Sequence, residues 1–215
     1  MRHGEIKANR ARRWHGSTDS PLVWRGRRQA KRLGRYVAQR YPDLQALYAS
    51  PRERCVDTAT PVSRALNLDI QVVDDLQEWS IGELEDTPFE VLDKEHDFFN
   101  RVLADLEYGP PGGESINQVA RRFLNALFTI NQGQAAAELD SVAHTDADAD
   151  ADADAESDTY VGVVSHGAAI QVALAALLDG SAKRWQNYSI GNCSVTELVL
   201  TPKPYIGAYN QTHFL

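Results

Sequence analysis

The chain has 215 residues, of which 43% are hydrophobic, and its formal net charge is −8 at pH 7. Its apolar segments are shorter than the roughly 18 residues that a membrane-spanning helix needs, and no apolar run follows the first residues as it does in a signal peptide. The two cysteines, Cys55 and Cys193, lie far apart in the sequence, which disfavours a disulfide framework or a zinc site. We therefore expect a cytoplasmic protein that contacts no membrane and holds no metal.

The charge is unevenly distributed along the chain. Residues 1–40 carry twelve Lys and Arg against two acids, whereas residues 138–158 carry nine acids and no Lys or Arg. A basic region of this kind suits an anionic partner, either a small phosphorylated molecule or a nucleic acid. The alternative is a solvated basic helix, which is the simpler interpretation for most of these arginines.

Hydrophobic periodicity predicts strands that alternate with helices. In chain order, the predicted elements are a loop over 4–24, a helix over 26–40, a strand over 46–50, a helix over 52–66 with a kink or break at Pro61, a strand over 69–73, a helix over 88–106, a loop over 108–115, a helix over 116–132 with Ser115 as its N-cap, a strand over 160–165, a helix from 167 and a strand over 194–201.

This alternation, with strands that are apolar on both faces, is typical of an α/β domain. We predict a three-layer α/β/α architecture with a mostly parallel central sheet, in a single domain over residues 1–215. The exception is the segment at about 140–158, where Ala and Asp alternate. Such a segment buries too little apolar surface to offset the entropy of ordering, so we predict a disordered acidic insertion there.

Two His-Gly pairs indicate the chemistry. One pair, at 166–167, follows the predicted strand over 160–165, and the other, at 3–4, lies at the start of the sequence. Ligands of open α/β sheets bind at the carboxyl ends of strands, so we expect both imidazoles to face one pocket. A neutral imidazole can attack phosphorus, and guanidinium groups such as those of Arg2 and Arg54 fit phosphate oxygens. This combination favours phosphoryl transfer.

Six segments of the chain follow one another in an order that is familiar from a known family. They are RHGEIKAN (2–9), WHGSTDSPLVWRGRRQAKRLG (14–34), YASPRERCVDTA (48–59), LQEWSIGELED (76–86), PGGES (111–115) and VVSHGAAI (163–170). In these segments the chain resembles the histidine phosphatase superfamily, also called the phosphoglycerate mutase-like family, over nearly its whole length. One departure is Ile6, which stands where the family normally has Thr.

The resemblance implies a role for each matching residue. His3 is expected to be the nucleophile that becomes phosphohistidine, Glu78 the general acid, and His166 a second catalytic imidazole that binds the transferred phosphoryl group. The residues expected to bind the substrate phosphate are Arg2, Asn9, His15, Gly16, Arg54 and Gly167. The resemblance implies no cofactor.

The largest departure from the family lies before the first His-Gly pair. The family has an apolar strand of about five residues there, at the centre of the sheet, whereas this chain has only Met1. Burial of four or five aliphatic side chains is worth about 6–12 kcal/mol, which is comparable with the stability of a whole domain. We therefore predict a missing or truncated first strand and interpret Met1 as an internal residue of a longer natural chain. If Met1 is the true start, His3 is expected on a frayed terminus.

These observations favour a phosphatase that hydrolyses a small phosphorylated substrate and binds no nucleic acid. Two alternatives stay open. One is phosphoglycerate mutase-type transfer at the same site, although mutases of the family carry a longer segment than the one between Asp86 and Gly109 here. The other is a catalytically impaired relative that only binds anions because its N-terminal strand is absent. The identity of the substrate and the oligomeric state also stay open.

Overall fold

A parallel three-stranded sheet forms the centre of the molecule. The structure, a computed structural model, describes residues 1–143 and 159–215. The strands of this sheet are β1 (Ala46–Ala49), β2 (Ile70–Val72) and β3 (Val161–Val164). Strand β1 lies between the other two and is parallel to both, so the carboxyl ends of all three strands meet at one edge.

Helices cover both faces of this sheet. They are α1 (Lys7–Ala11), α2 (Trp24–Arg40), α3 (Glu53–Leu66), α4 (Phe89–Lys94), α5 (Phe98–Ala104), α6 (Ile116–Ala143) and α7 (Gly167–Leu178), with 3₁₀ turns at Asp74–Leu76, Gly82–Leu84 and Ala182–Asn187. Leu47 and Ala49 of β1 pack in a core with α2 and α3, whereas Ala46 and Tyr48 pack in a second core with α6 and α7. Successive side chains of a strand point to opposite faces. The three-layer α/β/α prediction is confirmed.

An antiparallel hairpin forms a separate two-stranded sheet. It consists of β4 (Val195–Val199) and β5 (Tyr205–Gln211). The sequence predicts β4 but not β5, because β5 contains Gly207 and Asn210, and both residue types are depleted in strands. No helix in the part of the chain that the structure describes is long and apolar enough to cross a membrane.

The first residues of the chain continue the central sheet beyond β3. The Met1 ammonium donates to the Val163 carbonyl at 2.7 Å. The Ser165 amide donates to the Met1 carbonyl, and the His3 amide donates to the Ser165 carbonyl, both at 2.9 Å. His3 is only 3% exposed. The expectation that a chain starting at Met1 leaves His3 on a frayed terminus is therefore wrong, because backbone pairing with β3 holds this segment.

A cleft interrupts the sheet on the amino-terminal side of Met1. The Arg2 amide donates to the Ser194 carbonyl at 3.3 Å, so residues 1–3 lie between β3 and the segment that leads into β4. Further along, β3 and β4 face each other across a cleft of about 520 Å³. Val37 and Leu44 line one side of it, and Phe123 and Leu127 of α6 line the other. Residues 1–3 therefore fill only part of the space between β3 and β4.

Two predicted elements differ in detail. The predicted loop over 4–24 contains α1, because the Asn9 side chain accepts a hydrogen bond from the Ile6 amide at 3.1 Å and starts a helical turn. The predicted helix over 88–106 is divided into α4 and α5 at Asp97, whose φ of 48° is incompatible with a continuous helix.

Two further predictions concern helix limits. Of the kink or break predicted at Pro61, the break does not occur, since α3 runs without interruption from Glu53 to Leu66. Ser115 does cap α6, because its Oγ accepts a hydrogen bond from the Gln118 amide at 3.2 Å. The predicted acidic insertion at about 140–158 begins inside the last turn of α6, which ends at Ala143. Its residues 144–158 lie outside the described part of the chain.

Candidate active site

Two imidazoles lie side by side at the carboxyl end of the central sheet. His3 follows the short segment that pairs with β3, and His166 follows β3 itself and caps α7. Their ring centroids are 5.3 Å apart, with the ring planes inclined by 62°. Both residues are buried, at 3% and 0% exposure. One phosphorus atom can therefore lie within reach of both rings.

The bonds of His3 fix its tautomer. Its Nδ1 lies 2.7 Å from the Gly4 carbonyl oxygen, which can only accept, so Nδ1 carries the proton and Nε2 keeps its lone pair. Gly4 is held in turn by a hydrogen bond from its amide to Thr58 Oγ1 at 2.9 Å. Burial lowers the pKa of His3 well below its ordinary value, and the charges of Arg2 and Arg54 lower the pKa further. His3 is thus a neutral imidazole with a free lone pair.

His166 is neutral for similar reasons. Arg54 Nε donates to its Nδ1 at 3.1 Å, so the proton lies on Nε2, which donates to Ser50 Oγ at 2.7 Å. Cys55 Sγ lies 3.4 Å from the same Nε2. Burial lowers the pKa of His166 well below its ordinary value, with a further contribution from the charge of Arg54. Ser50, which sequence reasoning did not single out, thus orients this ring; it is the Ser of the 48–59 segment.

Arg54 connects His166 to the loop over 15–18. Its guanidinium is fully buried and donates to the carbonyl oxygens of His15 (3.1 Å), Gly16 (2.9 Å) and Thr18 (2.8 Å). Asp19 Oδ1 lies 3.4 Å from its Nη1. Arg54 therefore places a positive charge beside the imidazoles, but each of its nitrogens already has an acceptor. An oxyanion in the pocket either replaces one carbonyl acceptor or is stabilised by the charge through space.

Glu85 holds the same loop from the other side. Its carboxylate accepts hydrogen bonds from the amides of Gly16 (2.9 Å), Ser17 (3.1 Å) and Thr18 (3.2 Å). A Cβ on Gly16 would lie 2.1 Å from the Trp79 carbonyl oxygen, so only glycine fits there. Glu85 was not predicted as a site residue, although it is the last Glu of the 76–86 segment.

The His15 ring points away from Arg54. Its Nε2 donates to Asp86 Oδ1 at 2.9 Å, and its Nδ1 lies 3.3 Å from Ser20 Oγ. His15 therefore contacts the centre through its backbone carbonyl, whereas a contact between its ring and a phosphate requires the Asp86 bond to break.

Arg2 lies against the start of α7. Its Nη1 donates to the Ile190 carbonyl at 2.6 Å. Its Nε is buried and has no hydrogen-bond partner among the residues that the structure describes. A Cβ on Gly167 would lie 3.1 Å from the Arg2 Cζ, so glycine lets the guanidinium approach the helix. Arg2 therefore has donor capacity left for an anion.

Glu78 occupies the amides at the N-terminus of α7. Its Oε2 accepts from the Ala168 amide at 3.1 Å, and its Oε1 accepts from the amides of Ala169 (2.8 Å) and Trp79 (2.9 Å). These bonds hold the carboxyl group next to His166, the residue that caps the same helix. A carboxyl group in this position can exchange a proton with a ligand in the pocket.

Asn9 acts on the pocket through another asparagine. Asn192 Nδ2 donates to the His3 carbonyl at 3.0 Å and to Asn9 Oδ1 at 3.1 Å. Asn9 Oδ1 thereby links the Ile6 amide and Asn192, and it supports the backbone of the nucleophile candidate. Sequence reasoning missed Asn192, and nothing in its sequence surroundings points to it.

The pocket combines neutral imidazoles with excess positive charge. Arg2 and Arg54 bracket the two rings, and Glu78 supplies a carboxyl group beside them. No cluster of three or more His, Cys, Asp or Glu that could hold a metal ion occurs among residues 1–143 and 159–215. The arrangement suits the transfer of a phosphoryl group to nitrogen.

Curated relatives include proteins of two kinds. The chain is 30% identical over 218 residues to the bifunctional protein Rv2228c of Mycobacterium tuberculosis, an alignment that covers 100% of this chain and 54% of that protein. The chain thus spans about half the length of this relative. It is 28% identical over 210 residues to a protein of Yersinia pestis named as a probable phosphoglycerate mutase GpmB, with 97% of this chain and 86% of that protein covered.

Solved structures share the fold. The mycobacterial glucosyl-3-phosphoglycerate phosphatase Rv2419c in complex with VO3 superposes with a TM-score of 0.77 at 25% identity, covering 98% of this chain and 96% of that one. A phosphoserine phosphatase from Entamoeba histolytica in complex with 3-phosphoglyceric acid superposes with a TM-score of 0.79 at 22% identity, covering 99% and 95%. The sequence profile of the histidine phosphatase superfamily (branch 1) matches residues 1–210. The chain therefore belongs to the histidine phosphatase superfamily.

Proposed function

We propose that the protein hydrolyses phosphate monoesters of small molecules through a phosphohistidine intermediate. The observation that carries this proposal is the pair of buried imidazoles, 5.3 Å apart, in which His3 keeps the lone pair on its Nε2. Membership of the histidine phosphatase superfamily supports the same reaction class.

In the first step, His3 Nε2 attacks the phosphorus atom. A P–N bond forms while the bond between phosphorus and the ester oxygen breaks. The protonated carboxyl group of Glu78 gives its proton to the leaving oxygen, so that an alcohol departs. Arg2 and Arg54 stabilise the charge that spreads over the remaining phosphoryl oxygens, and His166 joins them by turning its Nε2–H from Ser50 Oγ to a phosphoryl oxygen.

In the second step, a water molecule attacks the phosphohistidine. The Glu78 carboxylate takes one proton of this water, the P–N bond breaks, and its electron pair returns to His3 Nε2. Inorganic phosphate leaves and Glu78 is protonated again. Each group is thereby restored for another turnover, and no metal or cofactor takes part in either step.

The decisive experiment compares the wild type with His3→Ala on p-nitrophenyl phosphate and on sugar, nucleotide and glycerate phosphates. We expect His3→Ala to lose activity by at least about 10³-fold, as removal of a nucleophile does in other enzymes. His96→Ala is the matched control, because His96 is an exposed histidine outside the pocket. Brief exposure of the wild type to substrate should also leave an acid-labile, base-stable phosphate on His3. Equal turnover in His3→Ala and His96→Ala would refute the proposal.

Phosphoglycerate mutase activity is a second candidate, since a relative that covers 97% of this chain carries that name. The same His3 would then return its phosphoryl group to a substrate hydroxyl instead of to water. Interconversion of 2- and 3-phosphoglycerate after priming with 2,3-bisphosphoglycerate, faster than the release of inorganic phosphate, would favour this candidate. Phosphate release without interconversion favours the phosphatase.

A cytoplasmic location is also part of the proposal. Cys55 and Cys193 are buried free thiols, and thiols of this kind suit a reducing compartment. The partner proposed here is a small phosphorylated molecule and not a nucleic acid.

A further inference from the structure

Arg52 is an arginine beside the pocket that the mechanism above does not use. It lies at the carboxyl end of β1 and is the N-cap of α3. Ser50 and Arg54, which stand two positions before and after Arg52, both form hydrogen bonds with the His166 ring. Its Nε is buried and lacks a hydrogen-bond partner within the described part of the chain. An arginine donor in this condition is open to a ligand, because buried polar groups are normally hydrogen-bonded.

The charge of Arg52 acts on the centre of the pocket. The pKa of His166 is lowered mainly by burial, next by the charge of Arg54, and to a smaller extent by the charges of Arg52 and Arg122. Arg122 cannot serve a ligand, because its guanidinium donates to Glu114 Oε1 at 2.7 Å and to the Glu78 carbonyl at 3.0 Å. No ion pair or side-chain hydrogen bond of Arg52 occurs among the described residues. Arg52 thus combines proximity to His166 with unused donors.

We propose that Arg52 binds a second anionic group of the substrate, a carboxylate or a further phosphate, next to the phosphoryl group that is transferred. Arg2 and Arg54 already bracket the imidazoles, so the phosphoryl group is neutralised without Arg52. Arg52 adds a planar fork of donors that fits a carboxylate or phosphate. This inference rests on the proposed phosphatase function, and it narrows the substrates to phosphate esters that carry another negative charge.

Matched pairs of ligands test this proposal. 3-Phosphoglycerate has a carboxylate where glycerol 3-phosphate has a hydroxymethyl group. Fructose 1,6-bisphosphate has one phosphate more than fructose 6-phosphate. The quantity to measure is the ratio of kcat/KM within each pair. We expect the wild type to prefer the more anionic member, and Arg52→Gln to reduce that preference by about 10- to 100-fold through KM, in line with the loss of a charged hydrogen bond. The pair that responds identifies the group as carboxylate or phosphate.

Two variants separate a binding role from a structural one. Arg64→Gln removes the same charge from an exposed position on the same helix and should leave both ratios as in the wild type. Arg52→Lys keeps the positive charge but loses the planar pair of N–H donors, and it should restore part of the preference for the more anionic ligand. Unchanged ratios in Arg52→Gln would overturn the proposal. An equal fall in kcat/KM for all ligands and for p-nitrophenyl phosphate would overturn it as well, because Arg52 would then serve the transferred group.

Calorimetric binding of the same ligand pairs makes the inference independent of turnover. One outcome would reject the phosphatase and retain the anion site at Arg52. In that outcome the wild type hydrolyses none of the ligands but binds 3-phosphoglycerate or fructose 1,6-bisphosphate more tightly than the less anionic member of the pair. The Arg52→Gln variant binds both members of the pair equally. A wild type that hydrolyses p-nitrophenyl phosphate but shows no difference within either pair would retain the phosphatase and reject the site.

Discussion

At the scale of single residues, the pocket is defined by which nitrogen carries a proton. The Gly4 carbonyl keeps the proton of His3 on Nδ1, and Arg54 keeps the proton of His166 on Nε2. Neither assignment needs an acidic partner, because a carbonyl oxygen and a guanidinium each allow only one tautomer. His3 Nε2 thus keeps its lone pair free, as the proposed nucleophilic attack requires.

The proposed role of Glu78 leads to a prediction about leaving groups. Glu78→Gln cannot give a proton to the departing oxygen, so esters of weakly acidic alcohols should suffer most. We expect kcat/KM for alkyl phosphates to fall by about 10²-fold or more, the usual contribution of general acid catalysis, and p-nitrophenyl phosphate to lose much less. A series of phosphate esters with graded leaving-group pKa values measures this. Equal losses across the series would reject Glu78 as the acid.

At the scale of elements, the gap in the sheet is the main feature. Residues 1–3 pair with β3, but the cleft of about 520 Å³ continues between β3 and β4 and is lined from both helical layers. A strand entering it would cover apolar side chains on both of its faces and satisfy the facing edges of β3 and β4.

An apolar extension should therefore stabilise the chain. We expect Leu-Val-Leu-Val fused directly before Met1 to continue residues 1–3 into the cleft. Each newly buried aliphatic side chain contributes about 1.5–3 kcal/mol, and 1 kcal/mol shifts the Tm of a domain of this size by about 2–4 °C. If all four side chains are buried, the Tm should rise by roughly 10–50 °C in calorimetry. A Ser-Asp-Ser-Asp extension of the same length is the control, and an equal Tm for both extensions would contradict the expectation.

The sequence predicts the elements better than the bonds between them. Hydrophobic periodicity predicts β1, β3 and α2, because it is a local signal. The order of the six motifs predicts that His3 and His166 share one site. Ser50 and Glu85 lie in matching segments, but their hydrogen-bond partners are distant in sequence, and Asn192 lies outside every matching segment. Pro61 is a similar case: α3 tolerates it because tertiary packing can override a local preference.

At the scale of the whole molecule, buried basic groups make stability depend on pH. Burial lowers the pKa of the Met1 ammonium from 8.0 to about 6, and the pKa values of His3 and His166 well below 6.5. The unfolded chain therefore binds more protons than the folded chain as the pH falls through 8.0 and then through 6.5. This contribution to stability is fully present above pH 8 and is lost on acidification.

A free energy of unfolding measured by urea denaturation at several pH values tests this. For the chain with a free Met1 amino group, we expect the free energy of unfolding to fall by about 2 kcal/mol between pH 8 and pH 6 through this group, whose pKa is 8.0 in the unfolded chain and about 6 in the folded chain. The two histidines add to this fall below pH 6.5. Acetylation of the Met1 nitrogen should abolish the decrease in the free energy of unfolding that occurs above pH 6.5. A flat profile between pH 8 and pH 6 would show that the ammonium is not buried.

The pairing of the first residues with the last third of the chain has a consequence for biosynthesis. His3 is translated long before the residues that hold its backbone, which are Ser165, Asn192 and Cys193. Contacts so distant in sequence form late in folding. The pocket around His3 therefore cannot assemble until translation has passed residue 193, and a chain cut short before that residue is expected to lack the proposed activity.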